Sequence, residues 1–411
     1  MTYLNAVKYI LSLPSGNDCF TDPALHERMH SVASRLGDPQ KQIKFIHVCG
    51  DVGKGSCSAM LDSILGHMSY KRGLFSYHDG DDPRSTIIMD GRQASYDEFT
   101  GAVSLVKNTY KELFGQLLPY AEEAMTLAAI LCFRNHGCDI AILEKHDPTG
   151  DPSEIAGPPE LLMITQILAR SASESKGLDD IVRKGTAETV SSPQHKEIYN
   201  SISLACAVSG CRLTLPIYSE MEIEGITLFK TAFRYRGNEY SVHSFSPCQT
   251  VNAITAIEAA HALERAGIRV ESDAITKGIT SANLGFTCET LSIDPTVILS
   301  SSWEVNRIDT LVASLAQVKD IFSHPIKVYV DSTCLVNTSL LSEQLSAYGI
   351  EISKVLTVYS DNLESKQLRS QLCPIFSEAK ALGEAAPALI FIGRKPFLHK
   401  AKELMSQCMG I

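Results

Sequence analysis

Apolar positions along this chain fall into blocks that switch between short continuous or alternating runs and a period near 3.6. Ile43, Phe45, Ile46 and Val48 make a β-rich run. Behind a glycine-punctuated loop, Met60, Leu61, Ile64, Leu65 and Met68 share one helix face. Upstream, Met1 to Leu13 has the pattern of an amphipathic helix. Asp22-Pro23 opens a second helix with the stripe Leu25, Met29, Val32 and Leu36, and Gly37 and Pro39 stop it. Downstream, Gly73 to Ser76 reads as a short strand ending in a polar residue. Ile87, Ile88 and Met89 run into Asp90-Gly91, a hairpin signal. Ser95 with Glu98 makes a capping box for a helix carrying Phe99, Val103, Val106 and Tyr110. A further helix covers Ala121 to His136, and Asp139 to Leu143 is a buried-strand pattern ending at Glu144.

From His146 to Pro159 the chain turns polar and rich in proline and glycine, which predicts a loop. Leu161 to Leu168 is apolar, strand or helix by pattern. A helical stretch from about Asp179 to Glu188 includes Lys184, and Pro193 to Val208 is a helix closed by Gly210. Arg212 to Leu215 reads as a strand, and Ile226–Arg234 and Glu239–Phe245 flank Gly237-Asn238 as a hairpin. Ser246-Pro247 opens a long helix through Ala266, with Asn252 in its second turn. Gly285 to Pro295 reads as a boundary, beyond which β runs (Val297–Leu299, Lys327–Val330, Val355–Val358, Ala388–Ile392) alternate with helical patterns. The pattern predicts an α/β protein with two domains. Residues 1–292 hold a P-loop-type central sheet flanked by helices, and 293–411 a smaller Rossmann-like α/β domain.

At 411 residues the chain is long enough for two well-buried cores. Its net charge of -10 argues against nucleic acid or an anionic membrane as the main partner. The 12 cysteines are scattered, without CxxC or finger spacing; Cys206 and Cys211 are a close pair that implies no disulfide framework. Met1 to Leu13 lacks the basic start of a signal peptide, and Ala124 to Phe133 is too short to cross a bilayer. A cytoplasmic protein with reduced thiols is the expectation.

The candidate chemistry sits between the first strand and its helix, in Gly50-Asp51-Val52-Gly53-Lys54-Gly55-Ser56. Strand, glycine loop and helix in that order are the context of a phosphate-binding loop. Glycines let the backbone approach a polyphosphate, and the first N–H groups of the helix point at the anion. Lys54 would reach the terminal phosphates, and the Ser56 hydroxyl would face phosphate or Mg²⁺. The alternative is a glycine-rich turn without a ligand; the flanking elements favour the phosphate loop. Glu144, at the carboxyl end of a strand, is a candidate Mg²⁺ ligand or else a surface glutamate.

With those segments in place, the chain resembles the folylpolyglutamate/dihydrofolate synthases of the Mur ligase superfamily. The resemblance runs through His47-Val48-Cys49-Gly50 before the GKGS loop, Gly73 to Ser76, and Asp90-Gly91 followed by Glu98-Phe99. It continues through Ile140 to Glu144, Gln249 with Asn252-Ala253, and Phe391-Ile392-Gly393. It implies a Mur-ligase-like ATP-binding domain and a C-terminal ligase domain. It also implies an ATP-dependent reaction in which a folate or pteroate carboxylate is phosphorylated and a glutamate amine attacks the acyl phosphate. By resemblance, Gly50 to Ser56 hold the triphosphate, Ser76 and Glu144 ligate Mg²⁺, and Asn252 contacts the nucleotide. Lys184 falls near a lysine that assists a second metal, Glu123 lies at the pterin site, and His78 is a candidate substrate contact. The implied cofactors are ATP and Mg²⁺, the partners a folate- or pteroate-like acid and a glutamate-like amine, and the state a monomer.

The chain also departs from the family pattern. Asp51 and Val52 replace threonine and asparagine in the loop, and a carboxylate about 4 Å from phosphate costs around 1–4 kcal/mol. A second-metal histidine falls at about Ser171, and an ATP-contacting arginine at Phe286. A C-terminal Asp-Gly-Ala-His-Asn motif has become Ser300 to Glu304. His78, His146 and Asp147 lie in segments that offer replacements. A working ligase with a shifted substrate, an impaired nucleotide-binding or regulatory relative, and a relic that binds nothing all follow from this pattern; the retained GKGS loop disfavours the last.

Overall fold

The computed structural model describes residues 1–76, 82–145, 150–169, 177–178, 181–301, 308–322, 326–332, 337–350, 352–358 and 366–410. By internal contacts the chain forms two units. The first comprises residues up to Tyr218 together with Val251–Ala282, and the second Ser219–Thr250 with Asn283–Ile411. Residues 219–250, assigned to the first domain by a single cut at 292, cluster with the second unit.

The first unit holds α1 (Tyr3–Leu11), α2 (Asn17–Thr21), α3 (Leu25–Arg35), β1 (Lys44–Cys49), α4 (Lys54–Gly66) and β2 (Arg72–Phe75). These are followed by β3 (Ile87–Met89), β4 (Arg92–Gln93), α5 (Tyr96–Phe114), α6 (Ala121–His136) and β5 (Ile140–Glu144). β6 (Leu161–Ile164), β7 (Glu188–Ser191), α7 (Lys196–Ser209) and β8 (Arg212–Thr214) complete the sheet. Its order is β4-β3-β2-β5-β1-β6-β7-β8. β2 to β8 run parallel, and β3 and β4 join antiparallel through a turn at Asp90 and Gly91, both at positive φ. Successive residues of the central strands alternate between faces. Phe45, Phe75, Ala141 and Leu143 pack into one core with α1, α3, α5 and α6, while α4 packs on β1, β2 and β5. Met60, Leu61, Ile64 and Leu65 of α4 are fully buried, each stabilising by about 1.5–3 kcal/mol.

Two more helices belong mostly or wholly to this unit: α8 (Pro247–Arg265) and α9 (Ser272–Ser281). α8 is apolar nearly all round, with Ala253, Ile254, Ala256, Ile257, Ala259 and Ala260 buried, the pattern of a core helix. α9 approaches α4 so closely that a Cβ on Gly278 would lie 2.6 Å from the Ile64 nitrogen.

The second unit contains an antiparallel sheet of β9 (Met221–Ile226), β10 (Thr231–Tyr235) and β11 (Asn238–Val242). Its second sheet has the order β12-β13-β16-β14-β15, from β12 (Glu289–Ile293), β13 (Thr296–Ser300), β14 (Ile326–Asp331), β15 (Ile352–Val358) and β16 (Ala388–Ile392). Only β12 pairs antiparallel there. Helices α10 (Ile308–Gln317), α11 (Thr338–Ala347), α12 (Lys366–Leu382) and α13 (Lys395–Met409) alternate with these strands, as the spacing predicts. The helix expected over 179–188 is absent among the described residues: Lys184 lies in a turn and Glu188 begins β7. Among the described residues no helix is long and apolar enough to cross a membrane.

Candidate functional site

β1 delivers the chain to Gly50 at the carboxyl edge of the first sheet. Gly50 has φ 116° and Gly53 φ 98°, torsions that a Cβ disfavours. A Cβ on Gly50 would lie 2.7 Å from the Thr165 carbonyl oxygen, and one on Gly53 would lie 2.6 Å from Asn252 Oδ1. Torsion and space both demand glycine.

One side of the loop is latched to the segment after β6. The Asp51 and Val52 N–H groups donate to the Gln166 carbonyl at 2.9 and 3.1 Å. The Leu168 N–H donates to Asp51 Oδ2 at 2.7 Å. Gln194 braces the same segment, accepting from the Ile167 N–H at 3.0 Å and donating to the Thr165 carbonyl at 2.9 Å. The amides of Lys54, Gly55 and Ser56, in the first turn of α4, have no intrahelical acceptor. With the helix dipole they form an anion-binding hollow. Lys54 folds back over the loop, its Nζ donating to the Gly50 carbonyl.

β5 lies between β1 and β2. Val48 is level with Glu144, and Phe75 with Leu143, so Ser76, the residue after Phe75, comes level with Glu144. Both are buried, at 1% and 4% exposure. A Cβ on Gly55 would lie 3.9 Å from Glu144 Oε1. The Glu144 charge also adds to burial in pushing the Cys57 thiol pKa up. Ser76, Glu144 and the first turn of α4 therefore converge at the ends of three neighbouring strands. A hydroxyl and a carboxylate are hard oxygen donors and fit Mg²⁺, which takes few protein ligands and completes its shell with phosphate and water. Among the described residues no cluster of three or more His, Cys, Asp or Glu surrounds a metal position. Asn252, in α8, lies beside Gly53, and its carbonyl accepts from the Cys57 thiol at 3.7 Å.

Other residues singled out from sequence lie elsewhere or play other parts. Glu123 is fully buried in α6, where its carboxylate accepts from the Tyr120 N–H (2.7 Å), Arg28 (3.1 Å) and Tyr110 (3.1 Å). That arrangement joins helices and leaves no face open to a ligand. Lys184 is exposed beside Gly185, and its ammonium pairs with nothing among the described residues. Phe286 is buried in the core of the second unit, edge-on to His399 at 4.7 Å. His78, His146, Asp147, Ser171 and residues 302–304 lie outside the described residues.

Behind Glu144 the sheet carries a polar cluster that pattern reading missed. Lys145, nearly fully buried, donates to Glu154 at 3.0 Å. Glu154 also meets His26 at 2.9 Å and Arg183 at 3.9 Å. Burial, with Lys145 and Arg183 adding to it, lowers the His47 pKa well below the ordinary range, so that ring stays neutral. Gln166 and Gln194 were missed as well, since a backbone latch of this kind leaves no local sequence signal.

No family model matches the chain. It is 24% identical over 345 residues to a probable bifunctional folylpolyglutamate synthase/dihydropteroate synthase of Haloferax volcanii, covering 79% of this chain and 39% of that protein. It is 25% identical over 318 residues to the dihydrofolate synthase/folylpolyglutamate synthase of Bacillus subtilis, 71% of each. Its fold superimposes on the folylpolyglutamate synthetase of Lactobacillus casei with a TM-score of 0.78 and 20% identity, over 98% of this chain and 99% of the other. The chain resembles the folylpolyglutamate/dihydrofolate synthases in sequence and shares their fold. An FPGS–AMPPCP–folate complex has the same fold, with a TM-score of 0.76 and 18% identity over 98% and 99% of the chains. The chain spans about two fifths of the length of the bifunctional Haloferax relative.

Proposed function

We propose that the chain is an ATP-dependent amide-bond ligase that joins glutamate, or a glutamate-like amine, to a folate- or pteroate-like acid. The observation that carries this is the meeting of the Gly50–Ser56 loop, Ser76 and Glu144 at neighbouring strand ends. The AMPPCP and folate of the complex with the same fold support ATP and a folate-like acid as the ligands. In this reading Lys54 and the amides of residues 54–56 hold the terminal phosphates, and Asn252 contacts the nucleotide beside Gly53. Ser76 and Glu144 would hold Mg²⁺, which when bound neutralises charge on the phosphates. The acid's carboxylate takes the γ-phosphoryl group, and the amine then attacks the acyl carbon and releases phosphate. The chain's own contribution is to align these groups and stabilise developing charge.

A second reading, a nucleotide-binding relative without turnover, is favoured by Phe286. Where the family carries an ATP-contacting arginine, this side chain lies in an apolar core. Incubation with ATP, Mg²⁺, glutamate and a panel of pteroates and folates separates the two. ADP with chain-extended product, lost in Glu144→Gln and Lys54→Ala, supports the ligase. Nucleotide binding without product in any combination supports the second reading.

A further inference from the structure

Five helices among the described residues end in the same way. After α3, α6, α7, α8 and α11 come Gly37, Gly137, Gly210, Gly267 and Gly349, all at positive φ. In each case the N–H of the residue after the glycine returns to the carbonyl five residues earlier: Asp38 to Ala33, Cys138 to Phe133, Cys211 to Cys206, Ile268 to Leu263, and Ile350 to Leu345. The glycine N–H returns three residues, completing a Schellman motif. This motif brings the two residues of the long bond together, and an apolar pair normally fills the contact. Leu263 with Ile268 and Leu345 with Ile350 obey that rule. At the end of α7 the pair is two thiols.

Cys206 and Cys211 are 2% and 8% exposed. Their backbones are joined at 2.9 Å, the Cys211 N–H donating to the Cys206 carbonyl. Thr189 Oγ1 lies 3.1 Å from the Cys211 sulfur. A disulfide needs adjacent Cβ atoms and Cα atoms within about 4.4–6.8 Å. A turn that ties the two backbones together and normally brings their side chains into contact suits that need without moving either element.

We propose that Cys206 and Cys211 form a reversible intramolecular disulfide, making the α7–β8 corner a site of thiol oxidation. The neighbouring Cys206 thiol, with Thr189 beside it, lowers the Cys211 thiol pKa. Proximity to Cys211, and then burial, raises that of Cys206. Cys211 is therefore the first nucleophile. With a glutathione-type disulfide as oxidant, the Cys211 thiolate attacks one sulfur, forms a mixed disulfide and expels one glutathione thiolate. Cys206 then loses its proton and attacks the Cys211 sulfur, closing the protein disulfide and expelling the second. Two protein thiols are oxidised, one small disulfide is reduced to two thiols, and the two protons pass to the released thiolates. Nothing in this step depends on the ligase chemistry.

Trypsin cuts after Lys196 and Arg212, so the peptide Glu197–Arg212 contains both cysteines and no other. The full chain is equilibrated in glutathione buffers of rising oxidised fraction, acid-quenched, alkylated and mapped by mass spectrometry. The expected result is that this peptide loses two hydrogens and both alkylation sites together, reversibly on return to reduced glutathione. Cys206→Ser should instead accumulate a glutathione adduct on Cys211. If both residues remain alkylated across the series, or the wild-type peptide carries only glutathione adducts, the proposal is overturned. The wild-type map decides the matter even where the variant fails to fold.

Discussion

Asn252 Oδ1 occupies the space beside Gly53 that any larger residue would need, 2.6 Å from where its Cβ would stand. The two residues are joined through space from opposite ends of the first unit's sequence, and together they fix the entry to α4. Gly53→Ala meets both this clash and a φ of 98°, a strain of about 1–3 kcal/mol. We expect nucleotide affinity to fall at least tenfold, read by calorimetry with ATP–Mg²⁺. An unchanged heat would remove the loop from the binding site.

Asp51 is the loop residue whose charge conflicts most with a phosphate. The carboxylate is directed at the Leu168 N–H, at 2.7 Å, so its repulsion on a bound anion is blunted. Asp51→Asn should therefore tighten ATP–Mg²⁺ binding by less than tenfold, below about 1.4 kcal/mol. Titrations at low and moderate salt test this; a gain of a hundredfold would mean that the carboxylate faces the phosphates.

Glu123 holds helices together, and its replacement should register in stability rather than in substrate binding. Burial raises its pKa against the pull of the Tyr120 N–H, Arg28 and Tyr110. Glu123→Ala strips Arg28 and the buried Tyr110 hydroxyl of a partner, which should cost about 3 kcal/mol in denaturant unfolding. KM for the acid substrate should not move in the folded fraction.

Glu98 supplies a pH-dependent contribution. Its carboxyl is held at about 2, chiefly by the Arg92 hydrogen bond and then by the Ser95 capping-box contacts. A pKa below the unfolded value of 4.5 means that the stabilisation is complete above 4.5 and fades as the pH falls toward 2. Glu98→Gln should be less stable than wild type by about 1 kcal/mol near neutrality. Thermal melts from pH 7 to pH 2.5 should show the two proteins converging.

Strong local signals made most of the architecture legible. β1, the glycine loop, α4, the Ser95–Glu98 box and α6 with its Gly137 stop are dictated by residues close in sequence. α9 went unread because Gly278 looks like a helix breaker, whereas its missing side chain is what admits α4. β7 went unread beyond Glu188, which the sequence pattern places at the end of a helical stretch, and most of β9 went unread because its side chains are largely exposed. In the site, Gly50, Lys54 and Glu144 announce themselves by motif. Gln166, Gln194 and Lys145 act through backbone latches and long-range pairing, which only the fold creates.

The close seating of Gly278 on Ile64 separates what anchors α4 from the loop proposed to grip the ligand. Substitutions at positions 51 and 52 alter the grip while α9 still clamps α4 in place. The loop's recognition chemistry can thus be rewritten without dismantling its mount. The same separation makes those two positions the natural place to graft a different loop.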